Sequence, residues 1–215
     1  MPKALGFLIP LSIVIVWQGL SSQGILDPSM IPAPASVLAA GVSGIKTGEL
    51  VRYIGVSVIR VARGFLMASV VGVLSGLALG WIPALRTLMS PFLNFLRQIP
   101  PVAWIPVFIM WFGIGEGSKV SVIAYAAFFP VLINTEMSAA QISDNYLELG
   151  RVYRFTPLQV LTRIIVPGSL GPVFAGLRLA LSSSWRALVA AEMLASASGL
   201  GYMIMISREL VRPDV

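Results

Sequence analysis

The sequence predicts an all-α fold, a polytopic transmembrane helical bundle, and three observations predict it. Of its 215 residues, 57% are hydrophobic and 11% charged, whereas soluble domains carry about 25% charged residues. Mean hydropathy is +0.88. Apolar stretches near the ~20 residues needed to span a bilayer as a helix recur along the chain. Fifteen basic and nine acidic residues are too few to clothe a water-soluble globule of this length. The absence of Cys and His excludes disulfide scaffolds, thiolate metal sites, Cys or Ser-His nucleophiles and the H-E-x-x-H zinc motif. No catalytic residue, metal site or cofactor is assigned. The net charge of +6 is scattered through apolar sequence, which points to a lipid bilayer and not to nucleic acid.

Five spans are expected in a single domain, 1–215: residues 6–22, 56–81, 92–112, 120–134 and 173–194. The first, around "GFLIPLSIVIVWQGL", resembles a signal peptide, but no clean small-residue cleavage site follows, so it reads as a retained helix. "DPSMIPAPA" holds three prolines in nine residues and reads as an extended loop. Residues 199–206 are apolar but too short to span, hence re-entrant or interfacial. The chain stops at "SRELVRPDV", where another span is expected, so the count is five with a sixth missing. With the amino terminus inside, six basic residues (Lys3, Arg86, Arg97, Arg151, Arg154, Arg163) face seven (Lys46, Arg52, Arg60, Arg63, Lys119, Arg208, Arg212). Charge does not decide the orientation, and Arg60 and Arg63 are expected to snorkel to the interface.

Within the second span, Gly64, Ala68, Gly72, Gly76 and Gly80 recur every four residues. They form a small-residue ridge suited to close helix approach, and packing within the chain is favoured over a dimer seam. The third, "LRQIPPVAWIPVFIMWFGIGEGSK", is broken by Pro100, Pro101 and Pro106. Broken helix at membrane depth is tolerated only against protein or a wet cavity. Arg97, Gln98, Pro101 and Trp104 are therefore candidate gate or pathway residues, with Asn134 of the fourth span. The alternative is a helix end meeting headgroups. "GIGEGSK" is not a phosphate loop, because Ser118 stands where Gly must precede the Lys; it reads as a tight turn. In the fifth span Arg178, Ser183, Arg186 and Glu192 are candidate pathway residues, since buried charge there must face the bundle interior or a cavity. The competing reading is an internal salt bridge, for instance Arg186 with a distant carboxylate.

The polar stretch 135–170 holds Glu136, Asp144, Glu148, Arg151, Arg154 and Arg163, with apolar residues at helical spacing. Thr156-Pro157 is an N-cap followed by Pro at the first helical position. Two short amphipathic helices on a membrane face suit docking to a soluble partner.

"PAPASVLAA", "GELVRYIGVSVIRVARGF", "RQIPPVAWIPVFIMWFGIGEGSK", "AAFFPVLINT" and "GLRLALSSSWRALVAAEMLASASGLGYMI" together resemble the permease subunit of type I ATP-binding-cassette importers, nitrate/sulfonate/taurine branch. The family's cytoplasmic signature (Glu-Ala-Ala, Gly, then Ile-x-Leu-Pro) falls on Glu148, Leu149, Gly150, then Arg154, then Ile164, Val166 and Pro167. Leu149 and Val166 are conservative departures. Arg154 replaces the turn-forming Gly and disfavours the positive φ that Gly permits, which puts the docking geometry at issue. The resemblance implies cytoplasmic coupling helices, with Leu147, Glu148, Leu149, Gly150, Arg151, Tyr153, Arg154, Ile164 and Pro167 as the ATPase-coupling loop. It implies two ATPase subunits that bind the ATP, a second permease subunit (a homodimer), and an external or periplasmic solute-binding protein. That protein would meet residues 116–119 and 195–202. It also implies multi-pass residence in the cell (inner) membrane and transport without enzymatic activity of the chain's own. A self-contained secondary transporter or channel is the alternative.

Overall fold

The computed structural model describes residues 8–210; the first two residues of the expected 6–22 span, Lys3 and Arg212 lie outside them. The described chain runs α1 (Leu8–Ser22), α2 (Pro34–Lys46), α3 (Glu49–Trp81), α4 (Pro83–Gln98), a 3-10 turn (Pro101–Trp104), α5 (Ile105–Phe112), α6 (Glu116–Ala140), α7 (Asp144–Val152), α8 (Pro157–Val160), a π turn (Leu161–Ile165), α9 (Val166–Ala195) and α10 (Leu200–Glu209). No strand occurs among the described residues, as the composition predicts.

Three helical stretches are long and apolar enough to cross a membrane: α3, α6 and the 39-residue rod Pro157–Ala195. The helices on either side of Ile99 and Pro100 would make a fourth if the bent pair is one span, and α1 is a shorter apolar helix of 15 residues. The expected 92–112 span is thus not a straight rod; its two halves meet at 91°. The cause is local. A residue before proline is pushed out of the α region, and two prolines in tandem do this twice: Ile99 has ψ 118° and Pro100 ψ 139°.

Contacts divide the chain into two units, residues 1–57 with 196–215, and residues 58–195. In the first, the Gln18 side-chain oxygen accepts the Ala35 N–H at 3.1 Å, and Tyr53 meets Tyr202 edge-on at 6.1 Å. The Ser57 hydroxyl accepts the Leu200 N–H at 2.9 Å, satisfying a donor that the start of α10 would otherwise leave unpaired.

The second unit is built on α6, whose Ile123, Val131 and Leu132 are fully buried. The small-residue ridge of α3 lies against it. A Cβ on Gly76 would sit 2.6 Å from Thr135 Cβ and 2.8 Å from the Leu132 carbonyl; on Gly80, 2.5 Å from Ala139 Cβ. Gly64 and Gly72 meet Ile123 and Val131 in the same way. The ridge is therefore spent on packing within the chain, helix backbone to helix backbone. On the other side Gly176 of α9 faces the Pro130 carbonyl, 3.0 Å from where its Cβ would lie. Leu66, Met67, Val70, Val71 and Leu74 are exposed on α3, an apolar surface suited to acyl chains.

Candidate translocation cavity and docking loop

Where the chain turns at Ile99 and Pro101, it opens a cavity of about 600 Å³ against the middle of α6 and α9. Its walls are apolar and aromatic, with Tyr125, Phe129 and Leu179 among them, and its polar groups are Arg97, Asn134, Ser182, Ser183 and Arg186. Among the described residues no acidic side chain lines it. Arg186 donates to the Ser183 hydroxyl at 3.1 Å, and neither Arg97 nor Arg186 is in an ion pair among the described residues. Asn134 donates to the Pro130 carbonyl one turn back on α6 at 2.8 Å. An apolar pocket with a few convergent polar groups is the usual form of a small-molecule site, and guanidinium groups such as the two here are donors whose fork geometry matches oxyanions.

Five of the nine pathway residues expected from sequence come together here: Arg97, Pro101, Asn134, Ser183 and Arg186. Trp104 stands behind the wall, its ring 5.3 Å from Tyr125 and 5.8 Å from Phe108. Gln98 turns back to the Asn94 carbonyl at 3.0 Å. Arg178 is exposed on α9 and is not among the residues that line the cavity.

Glu192 lies elsewhere. It is fully buried and accepts from Arg60 Nη1 at 2.7 Å. Arg60 Nε and Nη2 grip Glu116 at 2.7 and 2.5 Å, and Lys119 Nζ approaches Glu116 at 3.5 Å. Arg60 does not snorkel: it is 1% exposed, held inside by two carboxylates that offset its desolvation. The ion pair imagined for Arg186 forms at Arg60 instead. Spacing in the sequence carries no signal for partners so far apart.

At the other end of α6 the chain enters the polar stretch 135–170, expected from the sequence to dock a soluble partner. Helix α7 ends in a Schellman motif: the Phe155 N–H reaches the Gly150 carbonyl at 2.8 Å and the Arg154 N–H the Arg151 carbonyl at 2.9 Å. This closure requires a left-handed residue just past the helix. Arg154 occupies it with φ 52°, the one non-glycine positive φ among the described residues. The turn that Gly would favour is kept despite the Arg. Gly150 is buried, and a Cβ there would meet Ile164 Cδ1 at 3.1 Å and Phe155 at 3.8 Å. Arg163 lies over the Phe155 ring at 5.3 Å. The next helix begins with a capping box between Thr156 and Gln159, with Pro157 behind it, as the Thr-Pro pair predicts. Gly150 thus lets α7 pack closely on Val160 at the end of α8 and on Ile164 of the π turn that follows it. Tyr146, Leu149 and Val152 are left exposed at i, i+3 and i+6 on one face of α7, with exposed Tyr153 just past its end. Glu148, Arg151 and Pro167 are exposed and Leu147 half-buried.

Residues 64–211 match the family described as binding-protein-dependent transport system inner membrane component. A Bacillus subtilis (strain 168) protein, SsuC, whose name assigns it to aliphatic sulfonates transport as a permease, is 36% identical over 204 residues, 95% of this chain and 74% of its own. The taurine transport system permease protein TauC of Escherichia coli (strain K12) is 31% identical over 208 residues, 94% of this chain and 76% of its own. The nitrate import permease protein NrtB of Synechococcus elongatus is 35% identical over 199 residues, 88% and 71% of the two chains. The chain belongs to the binding-protein-dependent transport system inner membrane component family, as a permease of the sulfonate, taurine and nitrate branch of ATP-binding-cassette importers.

Proposed function

We propose that this permease forms the pathway along which an ATP-binding-cassette importer moves a small oxyanion, a sulfonate such as taurine or else nitrate, across the cell membrane. The observation that carries this reading is the cavity between α4, α6 and α9, which presents Arg97 and Arg186 with no acidic side chain among its described lining residues. Its relatives' names supply the solute class. The exposed face of α7 is the docking surface for a soluble ATPase, one per permease, so that a homodimer engages two; the chain has no ATP chemistry of its own. Closure of the ATPase pair pulls on α7, and α6, joined to it across three residues, passes the movement to the cavity wall. The two access states then exchange population with the nucleotide cycle. An external binding protein delivers solute at the Glu116 end of α6, opposite the docking loop.

Affinity purification from intact source membranes should recover an ATPase with the permease. Vesicles holding the assembled complex should take up labelled taurine or nitrate only when ATP and the binding protein are supplied. Recovery of no ATPase, or uptake that ignores ATP, would overturn the reading in favour of a self-contained transporter.

A further inference from the structure

A second, smaller cavity of about 230 Å³ lies beside the first, and Arg97, Phe129 and Ile133 line both. The larger cavity draws on α6 between Tyr125 and Asn134, the smaller one between Phe129 and Met137. The smaller cavity is thus nearer the end of α6 that continues into the docking loop. Its polar face comes from one side of α4: Arg86, Ser90, Asn94 and Arg97 recur at i, i+4, i+8 and i+11. At 1.5 Å per residue they form a polar track about 16 Å long. The two cavities differ in charge balance. The larger has two arginines and no described carboxylate, whereas the smaller has Glu136, whose Oε1 holds Arg86 Nε at 2.9 Å with the carboxylate only 16% exposed.

An anion that settles between two uncompensated arginines enters readily and leaves slowly. Conduction needs binding strong enough to admit the solute and weak enough to release it. A carboxylate fixed next to the following arginine meets that need, because it competes with the solute for the same guanidinium. We infer that Glu136 is a tethered counter-anion: the solute displaces it from Arg86 after passing Arg97, and its return to Arg86 expels the solute toward the docking-loop end. Arg97 is the shared cation of both stations. This inference rests on the oxyanion pathway proposed above.

The test measures binding of labelled methanesulfonate to the full chain in lipid nanodiscs, with uncharged dimethyl sulfone as competitor. Glu136→Gln, which keeps a side-chain oxygen for Arg86, should tighten methanesulfonate binding by about tenfold or more, since the charged competitor is gone. Arg97→Gln should abolish binding in both backgrounds, Arg97→Lys should restore part of it, and dimethyl sulfone should not compete. Unchanged or weakened binding in Glu136→Gln, or retained binding in Arg97→Gln, would overturn the inference. Uptake by the complete transporter separates the two readings. Wild-type uptake without any ATP requirement refutes the importer assignment, whereas ATP-driven wild-type uptake with Glu136→Gln turning over as fast as wild type refutes only the counter-anion.

Discussion

Arg60 and Glu192 are separated by 132 positions in sequence, yet they form a 2.7 Å ion pair with side chains 1% and 0% exposed. Glu116, gripped by the same guanidinium, is 53% exposed. Breaking a buried pair costs about 3–5 kcal/mol because the surviving charge is stranded. Arg60→Ala strands Glu192 and should be the most damaging change, lowering the unfolding midpoint of the detergent-solubilised protein most. Glu192→Gln leaves Arg60 its bidentate partner and should cost less. Glu116→Gln, in partial contact with water, should cost least, about 1 kcal/mol or below. Arg60→Met combined with Glu192→Leu should recover most of the loss. If Arg60→Ala is no worse than Glu116→Gln, the network does not hold these three helices together.

The α3 ridge makes a sharper geometric forecast. Gly76→Leu drives a side chain into Thr135 and the Leu132 carbonyl, both within 3.0 Å of a bare Cβ. Backbone cannot retreat as a flexible side chain can, so α3 and α6 must separate, and overpacking of this kind costs about 1–3 kcal/mol or more. Gly55→Ala is the control. It lies on the same helix with nothing within 4 Å of its Cβ, and losing a mid-helix glycine should stabilise by about 0.5–1 kcal/mol. Opposite shifts in the unfolding midpoint are expected. Equal shifts would show that the ridge is not in close contact.

What was legible in the sequence was what is local or periodic. The four-residue spacing of Gly64 to Gly80 pointed to close packing because helix geometry repeats with that period. The Thr156-Pro157 start could be read because capping involves only neighbours. The tandem prolines announced a break, but not its 91° angle, which depends on what the two halves pack against. Tertiary pairing was out of reach. Nothing near Arg60 in sequence distinguishes it from Arg63, and the fate of Glu192 depends on a helix more than a hundred residues away. Arg86 and Glu136 pair across 50 positions for the same reason. Arg97, Asn134 and Arg186 of the cavity were legible because each is out of place in apolar sequence, although nothing in the spacing showed that three helices would bring them together; the aromatic wall of Tyr125 and Phe129 carried no such mark.

Arg154 is where local preference and loop geometry conflict. A non-glycine residue held at φ 52° carries a cost of about 1 kcal/mol or more, tolerated because the Schellman bonds from Phe155 and Arg154 require that conformation. Arg154→Gly removes the strain and should slow hydrogen exchange at the Phe155 amide by several-fold. Arg154→Val adds a branched Cβ to a left-handed residue and should speed it. Faster exchange in the glycine variant would mean that Arg154 contributes contacts that outweigh its strain.

The exposed face of α7 yields the prediction closest to function. Leu149 and Val152 are 51% and 76% exposed on a helix whose inner side is fixed by Gly150 against Ile164. Apolar side chains kept in water on a firmly anchored helix suit burial against a partner. Glu148, exposed beside them with no ion pair among the described residues, supplies a charge that a basic residue on the partner can match. Glu148→Arg should therefore reduce ATPase association by tenfold or more through charge reversal, while insertion and the unfolding midpoint stay as in wild type. Val152→Ser should weaken association by removing buried area, with less dependence on salt. Gly150→Leu should also weaken it, but by disturbing the fold of the loop, and so should lower the loop's own protection from exchange. Solute-stimulated ATP hydrolysis that is unchanged in Glu148→Arg would place the docking contact elsewhere. A loss in Gly150→Leu alone would mean that loop shape, and not the exposed face, determines coupling.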